Sequence, residues 1–249
     1  AMTMAGKVST LVGGERGQKD GPKSKAEFHR PASLSITVSG KALVVCDVGN
    51  GAIRKVALDD KDLTVSTLVS HPDIENPLSV AAGRWVDGTD VFWAASHHEQ
   101  PRLDRRNMAD GKLQLRWFGG VKDKEPKDID GPIGKAQFGI LFGLAASVGG
   151  TVYAVDHYFH KIKRFAANGT VTTIAGSEQG HADGPAKSAK FDTLYGLSRD
   201  PMGNLYVTEM THERGRVRKI SAKGVVSTLT TPKESLLTTA GKAADVGVM

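Results

Sequence analysis

A five-residue phrase returns along this chain at a nearly constant interval, and that interval limits the fold more than any other feature. It reads Val8-Ser9-Thr10-Leu11-Val12, Val65-Ser66-Thr67-Leu68-Val69, a diverged Leu115-Arg116-Trp117-Phe118, Val171-Thr172-Thr173-Ile174-Ala175 and Val226-Ser227-Thr228-Leu229. Aligning Leu11, Leu68, Trp117, Ile174 and Leu229 gives steps of 57, 49, 57 and 55 residues.

Three further short segments keep the same order inside each period. A small residue precedes an apolar one at Ser33-Leu34, Ser79-Val80, Gly143-Leu144 and Gly196-Leu197. An apolar run then closes on a polar group: Leu43 to Cys46 before Asp47, Phe92 to Ala95 before Ser96, Val152 to Val155 before Asp156, and Leu205 to Thr208 before Glu209. An aliphatic next joins basic residues at Ile53-Arg54-Lys55, Leu103-Asp104-Arg105-Arg106, Ile162-Lys163-Arg164 and Val217-Arg218-Lys219. Each period therefore holds four segments of strand length. They are rich in Val, Ile, Leu, Tyr and Thr and are parted by turns such as Gly40-Lys41, Asp87-Gly88, Gly149-Gly150 and Gly203-Asn204. Helical periodicity is nowhere sustained. Four antiparallel strands per unit of roughly fifty residues predict an all-β propeller, in which each sheet buries both faces against its neighbours and strands lose their polar alternation.

The quoted segments resemble the NHL repeat: Asp-Gly-Pro, Ala-x-Phe, a small-apolar pair, Gly-x-Leu-Tyr-Val-x-Asp, Ile-Arg-Lys-Val and Val-Ser-Thr-Leu. The loop portion stands here as Asp20-Gly21-Pro22 with Ala26-Glu27-Phe28, Asp130-Gly131-Pro132 with Ala136-Gln137-Phe138, and Asp183-Gly184-Pro185 with Ala189-Lys190-Phe191. The resemblance covers nearly the whole chain, although the second unit lacks the Asp-Gly-Pro loop. It implies a single NHL-type β-propeller with four complete four-stranded blades at about 13–70, 71–120, 121–176 and 177–231.

The resemblance also implies that an N-terminal strand serves as an outer strand of the last blade, and Lys7 to Val12 fits that role. Ser235-Leu236-Leu237-Thr238-Thr239-Ala240-Gly241-Lys242-Ala243 is similar to Ser33 through Ala42 with one residue deleted. A fifth, composite blade from 232–249 plus 7–12 is therefore expected. NHL propellers more often have six blades, and the rival expectation is a piece of a longer array. An open ring would expose strand edges and an apolar blade face, which favours a homodimer.

All 8 histidines (His29, His71, His97, His98, His157, His160, His181 and His212) fall in or beside loops that propeller topology places on one face. Imidazole binds zinc and titrates near neutral pH, so a metal-dependent lyase or hydrolase using zinc or calcium is one reading. No His-Glu-x-x-His, paired-cysteine or calcium-loop spacing accompanies it, and polar residues collect on loops for many reasons, so no cofactor is expected. His157-Tyr158-Phe159-His160 places two aromatics where the other units have glycine, asparagine or charge. Aromatics on a rigid scaffold are common binding anchors, and they also fill gaps between blades. Asp47, Asp156 and Glu209 recur at one position per blade, which points to carboxylates that tie blades together rather than to an acidic ring.

The formal charge of +6 raises an RNA-binding reading, which needs a contiguous basic stripe. The loops 14–31, 69–77, 120–138 and 177–194 carry eleven Lys and Arg against twelve Asp and Glu, whereas the third strands 53–56, 102–106, 161–164 and 216–219 carry eleven basic residues and one acidic. The excess is spread around the ring. Cys46 is the only cysteine, which rules out an internal disulfide and favours a reducing, intracellular compartment. No apolar run is long enough for a membrane helix, and Ala1-Met2-Thr3-Met4 lacks the layout of a signal peptide. The expectation is a non-catalytic scaffold that engages a protein or peptide through His97, His98, His157, Tyr158, Phe159, His160 and His212.

Overall fold

The computed structural model describes residues 6–97, 100–119, 125–210 and 215–230. Within them the chain forms four antiparallel sheets. The first holds β1 (Pro31–Ile36), β2 (Ala42–Asp47), β3 (Ala52–Ala57) and β4 (Val65–Val69). The second holds β5 (Pro77–Arg84), β6 (Asp90–His97), β7 (Pro101–Asn107) and β8 (Leu113–Phe118). The third holds β9 (Gly131–Pro132), β10 (Leu141–Ala146), β11 (Val152–Asp156), β12 (Lys161–Phe165) and β13 (Thr170–Ala175), in the order β10-β11-β12-β13-β9. The fourth holds β14 (Gly184–Pro185), β15 (Leu194–Arg199), β16 (Leu205–Met210), β17 (Gly215–Ile220) and β18 (Val225–Thr230), in the order β14-β18-β17-β16-β15.

The inner strands β1, β5, β10 and β15 pack in that sequence around an axis, so the sheets are the blades of a β-propeller. Among the described residues, β15 and β1 do not pack against each other in the same way. Residues 232–249 of the expected closing blade lie outside the described residues.

Three layers of the core lie between sheets, and a fourth cluster of Ala26, Val45, Val56 and Val65 lies within the first blade. Val44, Cys46 and Ile53 meet Val80, Phe92 and Ala94 between the first two blades. Trp93, Leu103 and Trp117 meet Phe138, Ala154 and Phe165 between the second and third, with edge-on ring contacts from Phe165 to Trp117 at 5.9 Å and to Phe138 at 5.1 Å. Val155, Ile162 and Ala175 meet Phe191, Leu205 and Val207 between the third and fourth. Middle strands thus bury both faces, which is why β6 reads Val-Phe-Trp-Ala-Ala without alternation.

The Asp-Gly-Pro loops act as latches. Their glycines take φ of +132°, +152° and +121° at Gly21, Gly131 and Gly184, a region closed to side chains. That turn lays Gly131-Pro132 along β13 and Gly184-Pro185 along β18 as an extra outer strand, and Gly21 bridges Val65 in β4. It also aims the aspartate inward. Asp20, Asp130 and Asp183 each accept the amide of the repeated phrase, from Thr67 at 2.8 Å, Thr173 at 2.8 Å and Thr228 at 2.9 Å. Each also holds the buried cation of the third strand: Arg54 at 2.6 Å, Lys163 at 3.1 Å and Arg218 at 2.7 Å. The loop phenylalanine then closes the joint between blades, and Phe138 and Phe191 are fully buried.

Candidate functional site

The recurrent carboxylates that end the second strands are structural ties. Asp47 accepts from the His29 amide at 2.8 Å, Asn50 Nδ2 at 2.7 Å and Arg54 Nη1 at 2.9 Å. Asp156 accepts from the amides of Gly139 at 2.9 Å and Phe159 at 3.1 Å. Burial pushes its carboxyl above the usual range despite those two amides. Glu209 accepts from the Asp192 amide at 3.2 Å and Arg218 Nη1 at 2.7 Å. Because these acids sit where β2, β11 and β16 hand over to the loop face, they fix the start of each loop.

After Asp156 the chain turns through His157, Tyr158, Phe159 and His160, and the Phe159 amide bonded to Asp156 sets that turn. The His157 ring donates through Nδ1 to the Leu194 carbonyl at 2.7 Å, and His160 through Nδ1 to the Asp192 carbonyl at 3.2 Å. Both bonds run from blade three to blade four and place a proton on Nδ1, because a carbonyl oxygen can only accept. His29 makes the same kind of contact with the Gly49 carbonyl at 3.0 Å. The histidine rings thus brace loops at three of these positions, two of them between blades and one within blade one. Among the described residues, no group of three or more His, Cys, Asp and Glu could hold a metal ion.

The structure adds two aromatics to the site. The His157 ring lies 4.7 Å from Phe142 and 5.0 Å from Tyr195, and those two rings are 5.4 Å apart. Tyr158 and Phe159 stack edge-on at 5.0 Å alongside. Tyr158 is half exposed and donates its hydroxyl to Glu125 Oε2 at 3.0 Å, which raises its pKa. Phe142 and Tyr195 also line the central opening, a cavity of about 930 Å³ walled by all four inner strands. Phe142, His157 and Tyr195 therefore form one aromatic cluster that reaches the cavity through Phe142 and Tyr195, and Tyr158 and Phe159, next in the chain after His157, form a separate pair. Phe142 and Tyr195 escape a reading of motifs because they lie inside strands β10 and β15, yet a signal exists. Each immediately precedes the small-apolar pair, at a place where blades one and two carry Ala32 and Leu78.

His97 ends β6 in blade two, a different part of the ring. His98 and His212 lie outside the described residues. Four of the eleven basic third-strand residues are internal, with Arg54, Lys163 and Arg218 at 0% exposure and Arg106 at 3%. No helix of the described residues is long and apolar enough to cross a membrane.

No family model matches the chain, and no curated protein does. Solved structures share its fold. One is a protein of unknown function from Bacteroides thetaiotaomicron, with 16% identity and a TM-score of 0.58 over 82% of this chain and 48% of that one. Another is an auxiliary nutrient binding protein from Bacteroides ovatus, with 16% identity and a TM-score of 0.56 over 82% and 50%. A third is virginiamycin B lyase from Staphylococcus aureus, with 11% identity and a TM-score of 0.54 over 94% and 62%. This chain spans about half the length of the first two. At these identities the likeness is one of fold, and proteins with that fold both bind and catalyse.

Proposed function

We propose that this chain is an NHL-type propeller serving as a non-catalytic scaffold for a protein or peptide partner. Phe142, His157, Tyr158, Phe159 and Tyr195 form its contact patch. The observation that carries the reading is the cluster of Phe142, His157 and Tyr195 beside the central cavity, with the Tyr158 and Phe159 pair following it in the chain. Aromatics held by a rigid frame lose little entropy on contact and bury a large area, which is how small patches dominate binding energy. The histidine bonds to the carbonyls of residues 192 and 194 support the same reading, since they hold the patch still. Four of the eleven third-strand cations are buried and the other seven are spread over four blades, which favours a protein or peptide over RNA, since a phosphate chain needs a contiguous basic stripe.

Selection of a phage-displayed random peptide library on the immobilised protein tests this. Enriched peptides should bind in solution by fluorescence anisotropy and lose binding with Phe159→Ala or Tyr195→Ala. Enrichment indifferent to both substitutions would refute the patch. Salt-dependent retention of single-stranded RNA would instead support the RNA reading. Stoichiometric zinc or calcium by elemental analysis would support the lyase or hydrolase.

A further inference from the structure

We propose that the central cavity takes a small monocarboxylate with an apolar body, its carboxylate held by Arg199.

The inner strands place matched residues at each level of the cavity. Three positions after the first member of the small-apolar pair, β1, β5 and β10 carry Ile36, Ala82 and Ala146, whereas β15 carries Arg199. All four line the cavity, and Arg199 is the one formally charged side chain among the described lining residues. Its charge is left uncompensated. The Nε atom is buried without a hydrogen-bond partner, and no carboxylate among the described residues pairs with the guanidinium. The neighbouring Asp200 is already engaged, accepting from the Asn204 amide at 2.9 Å, Asn204 Nδ2 at 2.7 Å and the Tyr206 hydroxyl at 3.0 Å. Arg84, at the same end of β5, shows the usual arrangement, with Asp90 at 3.0 Å. A buried donor without an acceptor costs stability, and one kept at a cavity wall marks the place of a ligand oxygen.

The surroundings of Arg199 set the class of ligand. The guanidinium fork matches one carboxylate in both geometry and charge, whereas a phosphate dianion would leave a charge unneutralised among aliphatic walls. Ser33 Oγ lies 3.3 Å from Ser79 Oγ, and Ser35 Oγ accepts the Ala82 amide at 3.0 Å, so these serines of the wall add hydroxyls but no second cation. Leu34, Ile36 and Val80 make the rest of that wall apolar. A volume of about 930 Å³ with apolar walls and one charged group has the make-up of a small-molecule site. Tyr195 stands four residues before Arg199 on β15, about 13 Å along the strand, and with Phe142 it lines the other end of the cavity. The peptide reading concerns those rings and the loop beside them, and this one concerns the interior, so either can fail alone.

Calorimetric titration of the full-length chain with phenylbutyrate and decanoate tests the assignment. At least one acid should bind at one per chain, and its uncharged counterpart, phenylbutyramide or decanol, should bind at least about ten-fold more weakly. Arg199→Gln should bring the acid down to the level of the uncharged compound, and Arg199→Lys, which keeps the charge but not the fork, should fall between. Melting temperatures of both variants confirm that they fold. The comparison of acid with uncharged compound on the parent chain holds even where a variant does not fold. Binding of neither acid, equal binding of acid and uncharged counterpart, an unchanged affinity in Arg199→Gln, or displacement of the acid by equimolar inorganic phosphate would each overturn the proposal.

Discussion

Blades four and two bury the same kind of charge by different means. In blade four one close cation, Arg218, is shared between Asp183 at 2.7 Å and Glu209 at 2.7 Å and also caps the carbonyls of Ala182 and Lys190, while Arg216 reaches Glu209 only at 3.8 Å. Blade two has no Asp-Gly-Pro loop and inverts the count. There one buried acid, Asp104, is shared between Arg106 at 2.9 Å and Arg116 at 2.6 Å. Arg106 spans to the Asp73 carbonyl at 2.6 Å, so it ties the seven-residue connection 70–76 to the blade as the latch loop does elsewhere. A charged latch is thus a requirement of the blade, while the donor of each charge is free to change. The difference also sets redundancy: blade four depends on one close cation and blade two on two.

Removing the cation from each blade tests that redundancy and gives the largest effect expected. Arg218→Ala leaves Glu209, whose side chain is fully buried, with only the longer Arg216 contact at 3.8 Å and the Asp192 amide, and should cost about 3–5 kcal/mol. At roughly 2–4 °C per kcal/mol for a chain of this size, the melting temperature falls by about ten degrees. Arg106→Ala leaves Asp104 bonded to Arg116 and should cost about 1–3 kcal/mol, mostly for the carbonyls left without a donor. Calorimetry on the two variants reads the gap directly. Equal losses would mean that the second arginine of blade two contributes nothing.

The fold was legible because the repeat states it several times over. The step of 49 residues from Leu68 to Trp117 even marks the blade that lacks its loop. The role of the Asp-Gly-Pro aspartates was legible only as a turn, because their partners lie 34 and 47 residues away for Asp20 and are brought together by sheet order rather than by spacing. The site divides in the same way. Tyr158 and Phe159 depart from the repeat and stand out in sequence, whereas Phe142 and Tyr195 join them only because inner strands of adjacent blades touch. The histidines were visible as a group, but their ring nitrogens answer to backbone carbonyls that no motif announces.

Acid sharpens the comparison by attacking the carboxylates of the latches. Burial alone would raise Asp183, but the Thr228 amide and the Arg218 guanidinium outweigh it and hold the carboxyl below its ordinary value of 3.8. Asp130 is held down in the same way by the Thr173 amide and Lys163. A folded-state pKa below the unfolded one contributes stability that is fully present above about 3.8 and is lost as pH falls through the folded values. Melting temperature should therefore drop as pH is lowered from about 5 to 2, and Asp183→Asn should flatten part of that slope. Asp156, raised by burial, has the opposite sign and is relieved by acid, so Asp156→Asn should not flatten it. A slope unchanged by Asp183→Asn would remove the latch from the acid response.

The smallest effect on stability is expected at the patch, and its smallness is informative. Tyr158 is 49% exposed and its hydroxyl bonds Glu125 on the surface, so Tyr158→Ala removes neither a core ring nor a buried donor. Stability should stay within about 0.5 kcal/mol of the parent, the range of surface substitutions away from special features. The latch residues follow the opposite rule, since their removal leaves charge inside the protein. A residue kept for the frame reveals itself by a large loss of stability, and a residue kept for contact by a loss of binding alone. If Tyr158→Ala weakens the selected peptides while leaving the melting temperature in place, the ring belongs to the contact surface. A melting temperature that falls as far as it does for Arg218→Ala would assign Tyr158 to the frame and leave Phe142 and Tyr195 to carry the patch.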